Sequence, residues 1–131
     1  MNTAIIGAGS NIDPAGNLDK AQELLQRDLK ITACSARLTT KPVGYKDQPD
    51  FVNAAFLVET DLGRKELKEC LTAIEDRLGR VRTENRFGPR TIDLDILVFN
   101  GDIIDGDVFE RDFLRTLVAE LCPELKRRMS R

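Results

Sequence analysis

The order in which two kinds of apolar segment follow one another constrains the fold of this chain more than any other feature. Short apolar runs typical of strands and longer segments with apolar residues at helical spacing occur in the order strand, helix, strand, strand, helix, strand, with one further helix. This order predicts an α+β, ferredoxin-like βαββαβ fold with a mainly antiparallel four-stranded sheet and helices packed on one of its faces. A length of 131 residues predicts a single domain over residues 1–131.

The first half of the chain contributes three predicted strands and one helix. The strands are expected over residues 3–7, 31–37 and 51–59. The helix is expected to begin at an N-cap, Asn17, and to extend to about Asp28, because Leu18, Ala21 and Leu25 recur at helical spacing. Residues 39–50 contain two prolines and no periodicity, which predicts a loop of the length at which loops are often functional.

The second half predicts a helix, a strand and a final helix. A 4-3-4 spacing of Leu67, Leu71, Ile74 and Leu78 predicts a helix that starts near residue 61 or 63 and ends at Gly79. A strand over 93–99, a turn at 100–101, a short paired segment at 103–104 and a helix over 113–121 are expected to follow. The C-terminal sequence KRRMSR predicts a frayed, solvated end.

Composition excludes several classes of function. A net charge of −2 argues against a general attraction to nucleic acid or anionic membranes, so neither is an expected partner. No apolar run reaches membrane-spanning length and the N-terminus lacks a signal-peptide pattern, which predicts a soluble cytoplasmic protein. The chain has no histidine, which excludes histidine-based triads and histidine zinc sites.

Two further patterns argue against common kinds of site. Cys34, Cys70 and Cys122 lack C-x-x-C spacing, which predicts small buried apolar residues in a reducing compartment rather than metal ligands or disulfides. Gly7-Ala8-Gly9 resembles the start of a dinucleotide fingerprint, but the position for its third glycine is Ile12. We therefore expect these glycines to turn the first strand into a loop.

The stretch from residue 80 to residue 99 carries the strongest candidate for a functional site. Arginines stand at positions 80, 82, 86 and 90, and Asp93 and Asp95 alternate within the apolar strand that follows. Alternate residues of a strand share a face, so these carboxylates repel each other unless a cation lies between them. Mg²⁺ takes such ligands and completes its coordination with water and phosphate, while guanidinium groups match phosphate oxygens.

The combination of paired acids and clustered arginines predicts a site that handles a polyphosphate through a metal. Each part also has a simpler interpretation. The arginines alone are typical of a solvated surface, and two aspartates on an edge strand can protect it from aggregation.

The sequence RTENRFGPRTIDLD, from Arg82 to Asp95, resembles the signature of the 6-hydroxymethyl-7,8-dihydropterin pyrophosphokinase family of folate biosynthesis. The resemblance extends from about Ala4 to Asp105 and resumes near Arg111. It implies the same ferredoxin-like architecture and the transfer of a pyrophosphoryl group from ATP to the hydroxymethyl group of a reduced pterin, with release of AMP. It also implies that Asp93 and Asp95 hold two Mg²⁺ ions.

The resemblance further assigns roles to individual residues. The implied catalytic residues are Arg80, Arg90, Asp93 and Asp95. The implied ATP contacts are Glu75, Arg82, Arg86, Phe87, Arg90, Ile96 and Arg111. The implied pterin contacts are Thr40, Pro42, Val43, Phe51, Asn53, Asp93 and Phe113. Without the resemblance, Glu75 is typical of a solvated helix residue, and Phe51 and Phe113 are typical of a core.

The chain departs from the family after the last strand, where family members usually carry a longer stretch with further ATP contacts. This difference leaves three hypotheses open. The chain is an active pterin pyrophosphokinase, a catalytically weak or inactive relative that binds pterin or nucleotide, or a different phosphotransferase or nucleotide hydrolase on the same scaffold.

Overall fold

The structure is a computed structural model that describes residues 1–80 and 91–129. The strands of this part are β1 Asn2–Ser10, β2 Lys30–Cys34, β3 Leu38–Thr40, β4 Phe51–Thr60, β5 Asp93–Phe99 and β6 Asp102–Ile103. The helices are α1 Pro14–Asp28, α2 Arg64–Arg77, α3 Asp107–Glu110, α4 Asp112–Leu121 and α5 Lys126–Met129, with a 3₁₀ turn at Pro123–Leu125. Among these helices, none has both the length and the apolar character needed to cross a membrane.

The strands form one antiparallel sheet in the order β2-β4-β1-β5-β6, and β3 also pairs with β4. The central order β2-β4-β1-β5, with α1 and α2 as crossovers, is that of the predicted ferredoxin-like fold, which is confirmed. In residues 1–80 and 91–129 the sheet has six strands rather than the predicted four. β3 is present because β2 pairs only with the second half of the ten-residue β4, which leaves the first half free.

One layer of the core lies between the sheet and helices α1 and α2. The helices contribute apolar residues at helical spacing, among them Leu18 and Leu25 from α1 and Leu67 and Leu71 from α2. Strand residues such as Ile6 contact them from the sheet. The apolar spacings that predicted both helices are therefore the spacings that build this layer.

A second layer lies on the opposite face of the sheet, and its position corrects the expectation that the helices pack on one face. Ile5 and Leu97 from the sheet cluster there with Leu117 of α4 and with Met129 of α5. β1 is buried without interruption from Ala4 to Ser10 because both of its faces are covered. The described part of the C-terminal tail, which was expected to be frayed, is helical from Lys126 to Met129 and buried at Met129.

Several boundaries differ from the sequence predictions. α1 begins at Pro14 after Asp13, and Asn17, expected as the N-cap, lies inside the helix and donates a hydrogen bond to the Ile12 carbonyl. A proline at the first helical position is preorganised for a helix start, which explains the earlier boundary. β2 ends at Cys34, and part of the predicted loop 39–50 is strand β3.

The tight turn predicted at 100–101 is confirmed. Asn100 and Gly101 both have positive φ values, 50° and 82°, and they connect β5 to the short strand β6. Such a two-residue turn matches the twist of the strands that it joins. Helix α3, which precedes α4, was not predicted, because four residues are too few to show a periodicity.

The cysteines are free, as predicted, but the prediction that they are buried is wrong. Cys34 is exposed, and Cys70 and Cys122 are partly exposed. Burial raises the pKa of the Cys70 thiol, and the neighbouring Asp28 raises it further. Spacing alone does not determine on which face of an element a cysteine lies.

Gly7 and Gly9 lie within β1 and do not end it, which corrects the expectation of a turn. A Cβ on Gly7 would lie 2.9 Å from Leu97 Cδ1, and one on Gly9 would lie 2.7 Å from Asn53 Oδ1. Both glycines are therefore needed for close approach by neighbouring side chains rather than for a turn.

Candidate active site

The register of the sheet brings the predicted site residues onto one face. Gly9 pairs with Asn53 on one side and with Asp93 on the other, and Gly7 pairs with Asp95. Paired residues of an antiparallel sheet point to the same side. Asn53, Asp93 and Asp95 therefore share the face that α4 covers further along the strands.

Gly9 leaves one position in the floor of this site without a side chain of its own, whereas the Leu97 side chain covers Gly7. Gly9 stands between Asn53 and Asp93 in the sheet, and of the described residues it is Asn53 whose amide extends over this position. At Gly9 the floor is backbone, with the Asn53 amide on one side and the Asp93 carboxylate on the other. This shape suits a planar ligand that carries a reactive group toward the carboxylates.

The amide side of the site is supported by strand β3. Thr40 pairs with Phe51, and Asn53 Nδ2 donates a hydrogen bond of 2.7 Å to Thr40 Oγ1. This bond orients the Asn53 amide, whose donor and acceptor match the edge of a heteroaromatic ring. Pro42 and Val43 follow β3 in the connection to β4, and Val43 is exposed.

A contact at the end of β1 ties this connection to the sheet, and the sequence reasoning missed it. Asn11 Nδ2 donates hydrogen bonds to Gln48 Oε1, at 2.8 Å, and to the Pro49 carbonyl, at 3.0 Å. Asn11 is only 4% exposed. The connection from β3 to β4 is thus held beside the first residues of α1, and an asparagine after a strand gives no signal for such a long-range contact.

The carboxylate side of the site has the character of a cation site. Burial raises the pKa of Asp95 to about 8, and the neighbouring Asp93 carboxylate contributes to the increase. A cation between the two side chains would remove the repulsion, and hard carboxylate oxygens suit Mg²⁺. In residues 1–80 and 91–129 no cluster of three or more acidic, cysteine or histidine ligands is present.

Arg80 lies at this same end of β5. Its Nη1 donates a hydrogen bond of 3.0 Å to Asp93 Oδ1 and forms an ion pair with Glu75 Oε2. Glu75, which the resemblance implies as an ATP contact, is a buried residue of α2 whose carboxylate also accepts the N–H of Leu94 at 2.8 Å. The structure therefore brings Arg80, Glu75 and Asp93 together.

A cleft of about 560 Å³ opens on the outer side of β5, next to Asp95. β6 pairs only with Val98 and Phe99, which leaves the first part of the β5 edge unpaired by β6. Ile96 lines the cleft, as do three cationic residues of α2, Arg64, Lys65 and Lys68. Sequence reasoning missed these three residues, although their positions place positive charge on one side of the helix start.

The other predicted residues divide into two groups. Arg111 lies between α3 and α4 and Phe113 lies in the first turn of α4, both partly exposed, and their roles stay predictions. Four predicted site residues lie outside the part of the chain that the structure describes: Arg82, Arg86, Phe87 and Arg90.

The fold and the site together define a ferredoxin-like domain with the features of a phosphate-transferring protein: paired carboxylates, a neighbouring arginine and a cationic cleft. Comparison with known proteins specifies the class. The chain belongs to the 7,8-dihydro-6-hydroxymethylpterin-pyrophosphokinase family, whose profile matches residues 5–123.

Similar proteins come from bacteria and from a eukaryote. The 2-amino-4-hydroxy-6-hydroxymethyldihydropteridine pyrophosphokinase of Bacillus subtilis is 40% identical over 137 residues, which cover 96% of this chain and 81% of the relative. The enzyme of the same name from Haemophilus influenzae is 35% identical, with 95% and 84% covered. A folic acid synthesis protein of Dictyostelium discoideum is 34% identical over 93% of this chain and 20% of its own length.

Proposed function

We propose that this chain transfers the pyrophosphoryl group of ATP to the hydroxymethyl group of 6-hydroxymethyl-7,8-dihydropterin and releases AMP, with Mg²⁺ ions held by Asp93 and Asp95. The hydroxymethyl oxygen forms a bond to the β-phosphorus, the bond between that phosphorus and the oxygen of the α-phosphate breaks, and the hydroxyl proton leaves to solvent. The observation that carries the proposal is the placement of Asn53, Gly9 and Asp93 in one row on the sheet.

In this proposal the row binds the pterin and the cleft beside it binds the triphosphate. A pterin over Gly9 makes edge contacts with Asn53 and stacks on Phe51, which directs its hydroxymethyl group toward Asp93. The cleft beside Asp95 receives the triphosphate, and Arg64, Lys65 and Lys68 are near enough to attract it. Arg80 stands next to the carboxylates and neutralises phosphate charge.

The residues present fit Mg²⁺ because two hard carboxylates leave most of its coordination sphere to water and phosphate. Bound Mg²⁺ would neutralise the triphosphate and lower the pKa of the pterin hydroxyl, which removes the need for a side-chain base. Two ions are part of the proposal, and Asp93 and Asp95 would hold them beside the pterin.

An AMP-release assay tests the proposal. With ATP and Mg²⁺, AMP is expected to form only when the hydroxymethyl-dihydropterin is present, and Asp95→Ala is expected to lower the rate by at least about a hundredfold. Asp102→Ala is the matched control, since Asp102 is an exposed aspartate of the neighbouring strand and is not placed in the site. AMP or ADP release that is independent of pterin would contradict the proposed acceptor, and full activity of Asp95→Ala would contradict the metal assignment.

A further inference from the structure

The end of α2 forms a turn that brings Arg80 back beside Glu75. Gly79 has a φ of 84°, and its N–H donates a hydrogen bond of 3.1 Å to the Asp76 carbonyl. The N–H of Arg80 donates a hydrogen bond of 3.1 Å to the Glu75 carbonyl. These two bonds form a Schellman motif, in which glycine is favoured at the left-handed position. The backbone therefore fixes the point from which the Arg80 side chain starts.

The side chains of the same two residues are joined as well. Glu75 is 4% exposed, and its Oε2 accepts both the Leu94 N–H and the Arg80 guanidinium. A buried carboxylate is costly unless it is paired with a charge and with hydrogen-bond donors, and here it has both. The same Arg80 nitrogen contacts Asp93.

The hydrogen bond from Leu94 is placed where it affects both proposed metal ligands. Leu94 lies between Asp93 and Asp95 on β5, and its N–H belongs to the peptide bond that joins Asp93 to Leu94. Glu75 thus contacts β5 at this peptide and, through Arg80, at the Asp93 side chain. The buried Oε2 of Glu75 therefore constrains both the β5 backbone at Leu94 and the ion pair between Arg80 and Asp93.

We propose that Glu75 is a positioning residue, which holds Arg80 on Asp93 and fixes the peptide between Asp93 and Asp95, and that it acts on the reaction through them rather than by contact with the nucleotide. Two donors already occupy its Oε2, and little of the residue reaches the surface. How Glu75 holds Arg80 and the β5 backbone is independent of the reaction, whereas the effect of Glu75 on catalysis rests on the proposed function.

Two substitutions of Glu75 separate positioning from simple support of the fold. Glu75→Gln keeps an oxygen that can accept the Leu94 N–H but removes the charge that holds Arg80. Glu75→Ala removes both and leaves a buried N–H without its acceptor, so it is expected to melt at a lower temperature than Glu75→Gln. We expect Glu75→Gln to lower kcat by about tenfold or more, as for groups that orient ligands, with KM for ATP changed by less than about twofold.

A second measurement needs no substrate. In the ligand-free protein, ¹⁵N NMR of the arginine side chains, assigned with Arg80→Lys, is expected to show restricted rotation of the Arg80 guanidinium, because it is held by two carboxylates. Glu75→Gln is expected to release this restriction.

Either of two results would overturn the inference. The first is an Arg80 NMR signal that does not change in Glu75→Gln. The second is a raised KM for ATP with kcat unchanged, which would mean that Glu75 contacts the nucleotide. If the wild-type protein releases no AMP, the proposed function fails, but the NMR measurement still tests how Arg80 is held.

Discussion

At the scale of single residues, the site is dominated by two carboxylates on alternate positions of one strand. Asp95 is disfavoured as an anion, because it is largely buried and Asp93 lies beside it, so its pKa rises to about 8 without metal. In the unfolded chain an aspartate has a pKa of about 3.9. The folded, metal-free protein therefore binds a proton that the unfolded chain releases over the intervening pH range.

This difference predicts a pH dependence of stability. Because the folded pKa is the higher one, the contribution of Asp95 is most favourable below about pH 4 and is lost as the pH rises toward 8. Urea unfolding with EDTA at several pH values would measure this. The free energy of unfolding should decrease less between pH 5 and pH 8 in Asp95→Asn than in the wild type. Equal decreases in the two proteins would show that Asp95 titrates normally.

At the scale of elements, the position of the Asn53 amide depends on Gly9 of β1. A Cβ on Gly9 would lie 2.7 Å from Asn53 Oδ1, so Gly9→Ala must displace the amide that is hydrogen-bonded to Thr40. We expect this substitution to weaken binding of the pterin by about tenfold, which corresponds to ~1.4 kcal/mol. Calorimetric titration with the pterin would measure the change.

The control for Gly9→Ala is the same change in an Asn53→Ala background. There the added methyl group no longer meets the amide, so it should have little further effect on affinity. A loss of affinity that is as large in this background would mean that Gly9→Ala acts through β1 itself, and circular dichroism would then show whether the strand is disturbed.

The elements also show why some features could be predicted and others not. α2 was predicted closely because Leu67, Leu71 and Ile74 face one core layer. The turn at Asn100 was predicted because an asparagine followed by a glycine favours a tight turn without any distant contact. β1 was predicted too short, because glycines near a strand end are usually turn formers. Their actual role depends on Leu97 and Asn53, which are distant in sequence.

The same distinction applies to the site. The spacing of Asp93 and Asp95 correctly placed both on one face of a strand. The cationic residues of α2 were missed, because only the tertiary fold brings the start of that helix beside Asp95. The Asn11 contacts were missed for the same reason.

At the scale of the whole molecule, the sheet carries a core layer on each face. Leu25 of α1 belongs to one layer and Leu117 of α4 to the other, and both are almost completely buried. The C-terminal helices are therefore part of the core rather than an addition to it.

Leu117→Ala is expected to lower the free energy of unfolding by about 2–5 kcal/mol, as much as Leu25→Ala, because each leaves a cavity in a filled layer. Urea denaturation of both variants would measure this. A much smaller effect of Leu117→Ala would mean that the α4 layer contributes little, and that the ferredoxin-like part is stable without it.

In the described part of the chain, strand β4 pairs with three other strands: with β1 from Val52 to Thr60, with β2 in its second half and with β3 in its first half. Adding or deleting one residue between Asn53 and Phe56 would reverse the side-chain orientation of β4 on one side of the change relative to its partners. Asn53 could then no longer lie in the site while Phe56 lies in the core, so we expect homologues to differ in the length of the connections around this strand rather than within it.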